Sequence, residues 1–113
     1  MKETRLGDFE EVMLLLVGIL GDEAYAFNIS EEFESQTSRA VSVGAVHSAL
    51  NRLEEKGFLT SAMSKPTAGR GGRRKRVYAL TAYGKRVLKE SRDFRVSLWE
   101  QFPAFAGKMN IAI

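Results

Sequence analysis

Apolar residues run almost without interruption from Phe9 to Leu20, and this stretch predicts a first helix. Asp8 precedes it as the expected N-cap, with Glu11 three residues later in the capping-box position. The glycine and acidic residues at 21–23 end the stretch. Because nearly every face of such a helix would be apolar, we expect it to lie in the domain centre or under a second subunit.

A shorter helix is predicted next. Asn28 is its expected N-cap, and the helix should end near Gln36. Three residues supply its expected apolar side: Phe27, Ile29 and Phe33.

A third helix is predicted between Ser42, its expected cap, and Lys56, with Gly57 as the stop. The spacing of its apolar residues is that of one buried helix face: Val43, Val46, Leu50 and Leu53. The opposite face carries small and polar residues, which permit close approach to another surface: Gly44, Ser48, Asn51 and Glu55.

After this helix the spacing of apolar residues changes from the helical period to the alternation of β-strands. Phe58 to Met63 and Arg76 to Leu80 are predicted strands, which can pair as a hairpin around the loop at 65–75. Thr81 is the expected cap of a last helix reaching about Gln101, and residues 104–113 show no clear period. The predicted fold class is mainly α with a small β-hairpin, in the order of a winged helix-turn-helix followed by a C-terminal helix. We expect residues 1–80 to form the winged domain and residues 81–113 the dimerisation helix and tail.

Charge is divided sharply along the chain. The 17 Lys and Arg against 14 Asp and Glu leave a net charge of only +3. Residues 1–64 carry 5 positive and 11 negative side chains, and residues 65–113 carry 12 positive and 3 negative, so the two parts have net charges of −6 and +9. A positive segment of this kind favours a polyanionic partner, most often nucleic acid. A solvated basic surface that binds nothing is the alternative.

Composition narrows the function classes further. The chain has no cysteine and one histidine, so a disulfide scaffold, a thiolate metal site and a multi-histidine zinc centre are excluded. No acid–base or nucleophile arrangement is suggested, and we expect neither an enzyme nor a cofactor. The longest unbroken apolar run, 12–17, is too short for a bilayer span and lacks the basic flank of a signal peptide. A cytoplasmic protein is expected.

The loop between the strands has the composition of a DNA-binding wing. Its glycines permit close approach, and its arginines suit phosphates or a narrow minor groove. We expect phosphate or minor-groove contacts from six residues: Arg39, Lys65, Arg70, Arg73, Arg74 and Lys75. A solvated loop and an RNA-binding tract are the alternatives, but two strands offer little sheet for the aromatic pairs of common RNA modules.

In a winged helix the third helix enters the major groove. Six residues would line that groove: Ser42, Ala45, His47, Ser48, Asn51 and Arg52. Asn51 is suited to adenine, since its amide both donates and accepts. Polar residues are, however, ordinary on any helix exterior, and His47 could equally be a boundary histidine satisfied by backbone or water.

The C-terminal helix carries more aromatic area than a small winged domain can cover. We expect it to pack with the first helix against a second copy of the chain, because aromatic residues are favoured at interface centres. The residues expected at this interface, or in an effector pocket within it, are Phe9, Met13, Leu16, Phe94, Leu98, Trp99 and Phe102. Packing within one chain is the alternative.

Two segments resemble the PadR family of transcriptional regulators, in its short form with a single C-terminal helix. Residues 43–59 are similar to the family's recognition helix and first strand, and residues 72–84 to its wing exit and the Leu-Thr-x-x-Gly that begins the last helix. Tyr25 and Phe27 fall where the family has Gly-Tyr-x-Ile, although Ala24 replaces the glycine. His47 and Ser48 stand where the family usually has Tyr-Pro, which affects base readout rather than the fold.

The resemblance implies a bacterial homodimeric repressor that binds a two-fold symmetric DNA operator and is released by a small effector. The aromatic residues expected at the dimer interface would suit an aromatic or apolar effector. A different class of function also fits the residues, namely a winged-helix module that binds an acidic protein partner. Selection of bound sequences from random duplex DNA separates these two hypotheses.

Overall fold

The computed structural model describes residues 6–65 and 74–103, which contain four α-helices and one two-stranded hairpin. The helices are α1 (Asp8–Leu20), α2 (Ala26–Thr37), α3 (Val43–Glu55) and α4 (Ala82–Gln101). The strands are β1 (Leu59–Met63) and β2 (Arg76–Leu80), and a single 3-10 turn at Gly21–Glu23 follows α1. None of the helices in these two ranges is long and apolar enough to cross a membrane.

The start of α1 differs from the predicted cap by one residue. Gly7 occupies the N-cap position, and its backbone N–H donates to Oε1 of Glu10 at 3.2 Å. Asp8 is the first helical residue and stays exposed, so the predicted Asp8–Glu11 capping box is wrong. Glu10 provides the reciprocal half of the cap instead, because it lies three residues after Gly7.

The start of α2 also precedes its predicted cap, because the helix begins at Ala26 with Tyr25 in the N-cap position. Asn28 lies inside the helix, where its Nδ2 donates to the carbonyl oxygen of Glu23 at 3.0 Å. Ile29 is buried as predicted, but Phe27 is 56% exposed. Two residues correspond to about 200° around a helix, so Phe27 points away from the face that carries Ile29.

The prediction for α3 is largely confirmed. Ser42 is the N-cap, and its hydroxyl accepts from the backbone N–H of Ala45 at 3.0 Å. Val46, Leu50 and Leu53 are fully buried. Val43 is the exception, since this first residue of the helix is 39% exposed.

The hairpin is antiparallel with a regular register, in which Leu59 pairs with Leu80, Ser61 with Tyr78, and Met63 with Arg76. β2 has its predicted bounds, whereas β1 begins one residue later than predicted. Pairing continues past the strands, because the N–H of Ser64 donates to the carbonyl oxygen of Lys75 at 2.7 Å. The two ends of the basic loop, at Ser64 and Lys75, are therefore hydrogen-bonded to each other.

α4 begins and ends as predicted. The Thr81 hydroxyl accepts from the N–H of Gly84 at 2.9 Å and lies 2.7 Å from the carbonyl oxygen of Gly57. Gly57 has a φ of +88°, the left-handed conformation that lets the chain leave α3 and enter β1. Thr81 therefore caps α4 and ties its start to the end of α3.

The core is built around α1. Its buried side chains meet residues from α2, α3, both strands and the start of α4 in one cluster. α4 contributes Val87 to this cluster, with Tyr83 and Leu88 packed against its edge. From residue 92 to 101 every α4 side chain is exposed, so the C-terminal half of this helix lies outside the core.

Candidate nucleic-acid interface

The outer face of α3 presents the side chains that the sequence assigned to the major groove. All six residues of that set are exposed: Ser42, Ala45, His47, Ser48, Asn51 and Arg52. The opposite face, with Val46, Ala49 and Leu50, is buried. Ser42 uses its hydroxyl oxygen to cap the helix, so its first role is to fix where α3 begins.

The side-chain amide of Asn51, on this face, is hydrogen-bonded to the hairpin. The Tyr78 hydroxyl donates to Oδ1 of Asn51 at 3.0 Å. Tyr78 is only 1% exposed, and its backbone N–H donates to the carbonyl oxygen of Ala24 at 2.9 Å. The bond therefore joins an exposed side chain on α3 to a tyrosine anchored in the core.

His47 contacts the same tyrosine through its ring. The His47 and Tyr78 ring centroids are 6.5 Å apart, with the ring planes at 83°, an edge-to-face arrangement. Burial raises the pKa of the Tyr78 phenol above its usual value, the Arg76 charge opposes this, and the Glu54 charge adds to it. A phenol is already protonated at neutral pH, and burial favours that form further, so the hydroxyl can act as a donor.

The turn between α2 and α3 is fixed by side-chain hydrogen bonds. Ser38 has a φ of +62°, and the Thr37 hydroxyl accepts from the backbone N–H of Arg39 at 3.1 Å. The hydroxyl of Ser30 donates to the carbonyl oxygen of Val41 at 2.8 Å. Arg39 is exposed, with its guanidinium carbon 5.8 Å from the centroid of the Phe33 ring.

The hairpin base, by which we mean residues 63–65 and 74–76 where the strands meet the loop, carries basic residues close to the start of α2. Lys65, Arg74 and Lys75 are exposed, and the Lys75 ammonium lies 4.5 Å from the centroid of the Tyr25 ring. The Lys75 backbone N–H donates to the Ser64 hydroxyl at 3.0 Å, which fixes where this side chain starts. Arg70 and Arg73, the other two predicted wing contacts, lie outside the described residues.

A cleft of about 610 Å³ separates the hairpin base from the starts of α2 and α3. Its lining combines aromatic and apolar side chains with cations: Tyr25, Ala26, Phe27, Val43, His47, Arg74, Lys75 and Arg76. Of these, only His47, Arg74 and Lys75 belong to the predicted DNA-binding set. The helical pattern predicts Phe27 and Val43 on buried faces, and this prediction is wrong. Both side chains are exposed and line the cleft.

Arg76, which also lines the cleft, is held by a chain of polar contacts. Its guanidinium donates to the Ser61 hydroxyl at 2.9 Å, and that hydroxyl is 2.9 and 3.0 Å from the two carboxylate oxygens of Glu54. Alternation along β2 places Arg76 and Tyr78 on the same strand face. The alternation was visible in the sequence, but the partners on β1 and α3 were not.

The predicted dimer or effector residues divide between core and surface. Met13 is 0% and Leu16 is 3% exposed within the chain's own core, so their predicted place at an interface is wrong. Phe9 is half-buried, with its ring centroid 5.7 Å from that of Phe33. α1 instead exposes Leu15, at 46%.

The predicted residues on α4 and at its C-cap lie at the surface, with about half of their area or more exposed: Phe94, Leu98, Trp99 and Phe102. An open groove of about 400 Å³ between α1 and α4 is lined in part by Leu15, Leu88, Val96 and Trp99. A neighbouring hollow of about 350 Å³ is lined by Arg95, Leu98, Trp99 and Phe102.

Arg95 on α4 forms ion pairs with the start of α1. Its guanidinium is 3.3 Å from a carboxylate oxygen of Glu11 and 3.8 Å from one of Asp8. The ion pairs bridge the start of α1 and the exposed half of α4. An apolar groove with a polar edge results, the composition usual for a protein interface.

The element order and the exposed third helix define a winged helix-turn-helix protein. The model of the transcriptional regulator PadR-like family matches residues 15–90, which is more than half of the chain. The chain therefore belongs to the PadR-like family of transcriptional regulators. A search of curated protein sequences finds no significant match.

Solved structures with the same fold include several regulators. A PadR-like transcription factor from Bacteroides fragilis is 25% identical with a TM-score of 0.67, and the alignment covers 84% of this chain and 86% of that one. A PadR-family regulator from Clostridium difficile R20291 is 27% identical with a TM-score of 0.58, over 80% and 96%. Bacillus subtilis PadR in complex with operator DNA is 19% identical with a TM-score of 0.57, over 73% and 46%.

Proposed function

We propose that the chain is a sequence-specific DNA-binding repressor, in which α3 reads the major groove and the basic loop contacts the adjacent backbone. The observation that carries this proposal is the exposed outer face of α3 beside the cationic cleft at the hairpin base. Phosphate contacts position a protein on the duplex, and base contacts specify the sequence. The face of α3 and the cleft supply one surface of each kind.

The sequence-predicted residues divide accordingly. Arg74 and Lys75, at the cleft, are proposed to hold backbone phosphates, together with Arg39, Lys65 and the loop arginines Arg70 and Arg73. Ser48, Asn51 and Arg52 are proposed to face base edges, since they stand exposed along α3. His47 lines the cleft as well as the helix face, so it is placed at the edge between bases and phosphate.

A homodimer is the assembly we propose, with residues 1–80 as the DNA-binding unit and α4 as the dimerisation element. The apolar groove between α1 and α4 supports it, because about half of the surface of Leu15, Val96 and Trp99 is exposed there. Two copies related by a two-fold axis would present two recognition helices to an inverted repeat. A cytoplasmic, bacterial protein is part of the same proposal.

The last part of the proposal is that a small aromatic or apolar effector releases the protein from DNA. The hollow lined by Leu98, Trp99 and Phe102 supports it, since aromatic walls suit a flat apolar ligand. Trp99 is the one tryptophan of the chain, so quenching of its fluorescence across a panel of aromatic compounds detects binding directly. A compound that quenches Trp99 should also lower DNA affinity, and quenching without any loss of DNA affinity would argue against an effector role.

DNA binding itself is tested by fluorescence anisotropy with labelled random-sequence duplexes of about 30 base pairs. The expected affinity falls steeply with salt, and Arg74→Ala should lower the slope of log K against log salt by about 1. Lys85→Ala, which removes the same charge from an exposed position on α4, is the matched control and should keep the wild-type slope.

Two results would count against the proposal. A DNA affinity that does not change with salt would show that the protein makes no phosphate contacts. Tighter binding to poly-glutamate than to duplex DNA would favour the alternative of an acidic protein partner.

A further inference from the structure

The strongest unassigned feature is the buried tyrosine of β2, which contacts two residues of the exposed α3 face. Its hydroxyl donates to Oδ1 of Asn51 at 3.0 Å, and its ring packs edge-to-face with His47. Tyr78 itself is 1% exposed, so it cannot touch DNA. Any effect of Tyr78 on DNA must pass through the side chains that it holds.

We propose that Tyr78 is a positioning residue for base readout, which holds the Asn51 amide with Nδ2 as the donor presented to the major groove. This inference rests on the proposed function. An exposed asparagine can rotate its amide by 180° and exchange donor for acceptor at little cost. The Tyr78 hydroxyl opposes that rotation. Its oxygen could accept from Nδ2 of a rotated amide, but its hydrogen would lose Oδ1, the acceptor to which it donates.

The backbone of Tyr78 is anchored on both sides. Its backbone N–H donates to the carbonyl oxygen of Ala24, and Tyr78 pairs with Ser61 across the hairpin. No buried side-chain polar atom among the described residues lacks a hydrogen-bond partner, which includes the Tyr78 hydroxyl. A rotated Asn51 amide would leave the hydroxyl hydrogen without an acceptor at the core boundary, so the protein itself favours the orientation with Oδ1 toward Tyr78.

The orientation determines which bases Asn51 can read. A donor directed into the major groove bonds to N7 or O6 of guanine, N7 of adenine or O4 of thymine, and it meets only another donor at N4 of cytosine. Asn51 should therefore disfavour cytosine at the base that it contacts.

The test is selection from a randomised duplex library with four proteins: wild type, Asn51→Ala, Tyr78→Phe and the double variant. Asn51→Ala should lose the preference at one position of each half-site. Tyr78→Phe keeps the ring and should weaken the preference at that same position by about five- to tenfold. The double variant should match Asn51→Ala alone, because Tyr78 acts through Asn51. Tyr83→Phe, whose ring packs on Phe58 instead, is the control and should keep the full preference.

A merely structural role of Tyr78 would give a different pattern. Affinity would then fall equally at every position, and the effects of the two substitutions would add. That pattern, or an unchanged preference in either Tyr78→Phe or Asn51→Ala, would overturn the inference. A wild-type protein that enriches no sequence would instead contradict the proposed function, so the two failures are distinct.

A second variant covers the case in which Tyr78→Phe does not fold. Asn51→Asp keeps an acceptor for the Tyr78 hydroxyl but replaces the outward donor by an acceptor. Its preference at the Asn51 position should shift toward cytosine, whose N4 donates. Retention of the wild-type base by Asn51→Asp would overturn the inference independently.

Discussion

The Cα of Gly84 lies so close to the carbonyl oxygen of Phe58 that an added Cβ would overlap that oxygen. The obstacle is backbone, and the same carbonyl oxygen accepts from the N–H of Thr81 at 3.1 Å, so it has little freedom to move. Glycine at 84 therefore permits the first turn of α4 to pack against the start of β1. The Leu-Thr-x-x-Gly pattern of the sequence has a direct steric reason.

Gly84→Ala is expected to lower the free energy of unfolding by about 1–3 kcal/mol, the usual cost of overpacking. Urea denaturation measures this value. Gly44→Ala is the matched control, because nothing lies within 4 Å of its added Cβ on the outer face of α3. It should leave stability unchanged or raise it by up to about 1 kcal/mol through helix propensity. Equal effects of the two substitutions would contradict the steric account.

The cap of α4 is the second stability prediction. Thr81→Ala removes the hydroxyl that accepts from Gly84 and should cost about 1 kcal/mol of unfolding free energy. Thr81→Ser retains the hydroxyl, so it should recover most of that loss in the same denaturation experiment. A serine variant as unstable as the alanine variant would show that the methyl group, not the cap, stabilises this junction.

Much of the fold could be predicted because its signals are local. The bounds of β2 and α4 follow from the alternation 76–80 and from the Thr81 cap, and both agree with the structure. The predicted cap of α1 is one residue too late, because Asp8 and Gly7 are adjacent and both suit an N-cap, and only the contact of Glu10 decides between them.

The buried faces were harder to predict. α1 is apolar on nearly all sides, so periodicity could not show that Met13 and Leu16 face the core while Leu15 faces outward. The site was predicted in part, since the face of α3 is set by the helical period. The hydrogen bond between Asn51 and Tyr78 joins residues 27 apart in the chain and has no local signal.

Acid sensitivity should come in part from Glu10. Burial acts to raise the pKa of its carboxyl, but hydrogen bonds from Lys56 and Gly7 and the nearby positive charges outweigh burial, so the pKa lies below its usual 4.5. The ionised form is thus favoured by folding. Its stabilisation is fully present above the unfolded pKa and is lost as the pH falls through the lower folded value.

Glu10→Gln should therefore be less destabilised than wild type on acidification from about pH 6 to about pH 3. Urea denaturation at both pH values gives the comparison. Glu34→Gln makes the same charge change at an exposed position of α2 and should keep the wild-type difference. A Glu10 variant with an unaltered difference would show that its contacts contribute nothing to folding.

The proposed dimer predicts that a charge in the groove between α1 and α4 is not tolerated. Leu15→Asp places a carboxylate at a half-exposed position of that groove, and sedimentation should show a shift from dimer toward monomer. Met63→Asp is the control, because Met63 on β1 is equally exposed, at 46%. A wild type that sediments as a monomer, or a Leu15 variant that remains fully dimeric, would contradict this interface.

The central claim, sequence-specific reading of duplex DNA by paired recognition helices, is tested most directly by selection of bound sequences from random duplex DNA. The account predicts enrichment of an inverted repeat, with half-site centres separated by one helical turn of about 10 base pairs or a multiple of it. Recovered duplexes without any shared sequence, or a motif lacking two-fold symmetry, would contradict it.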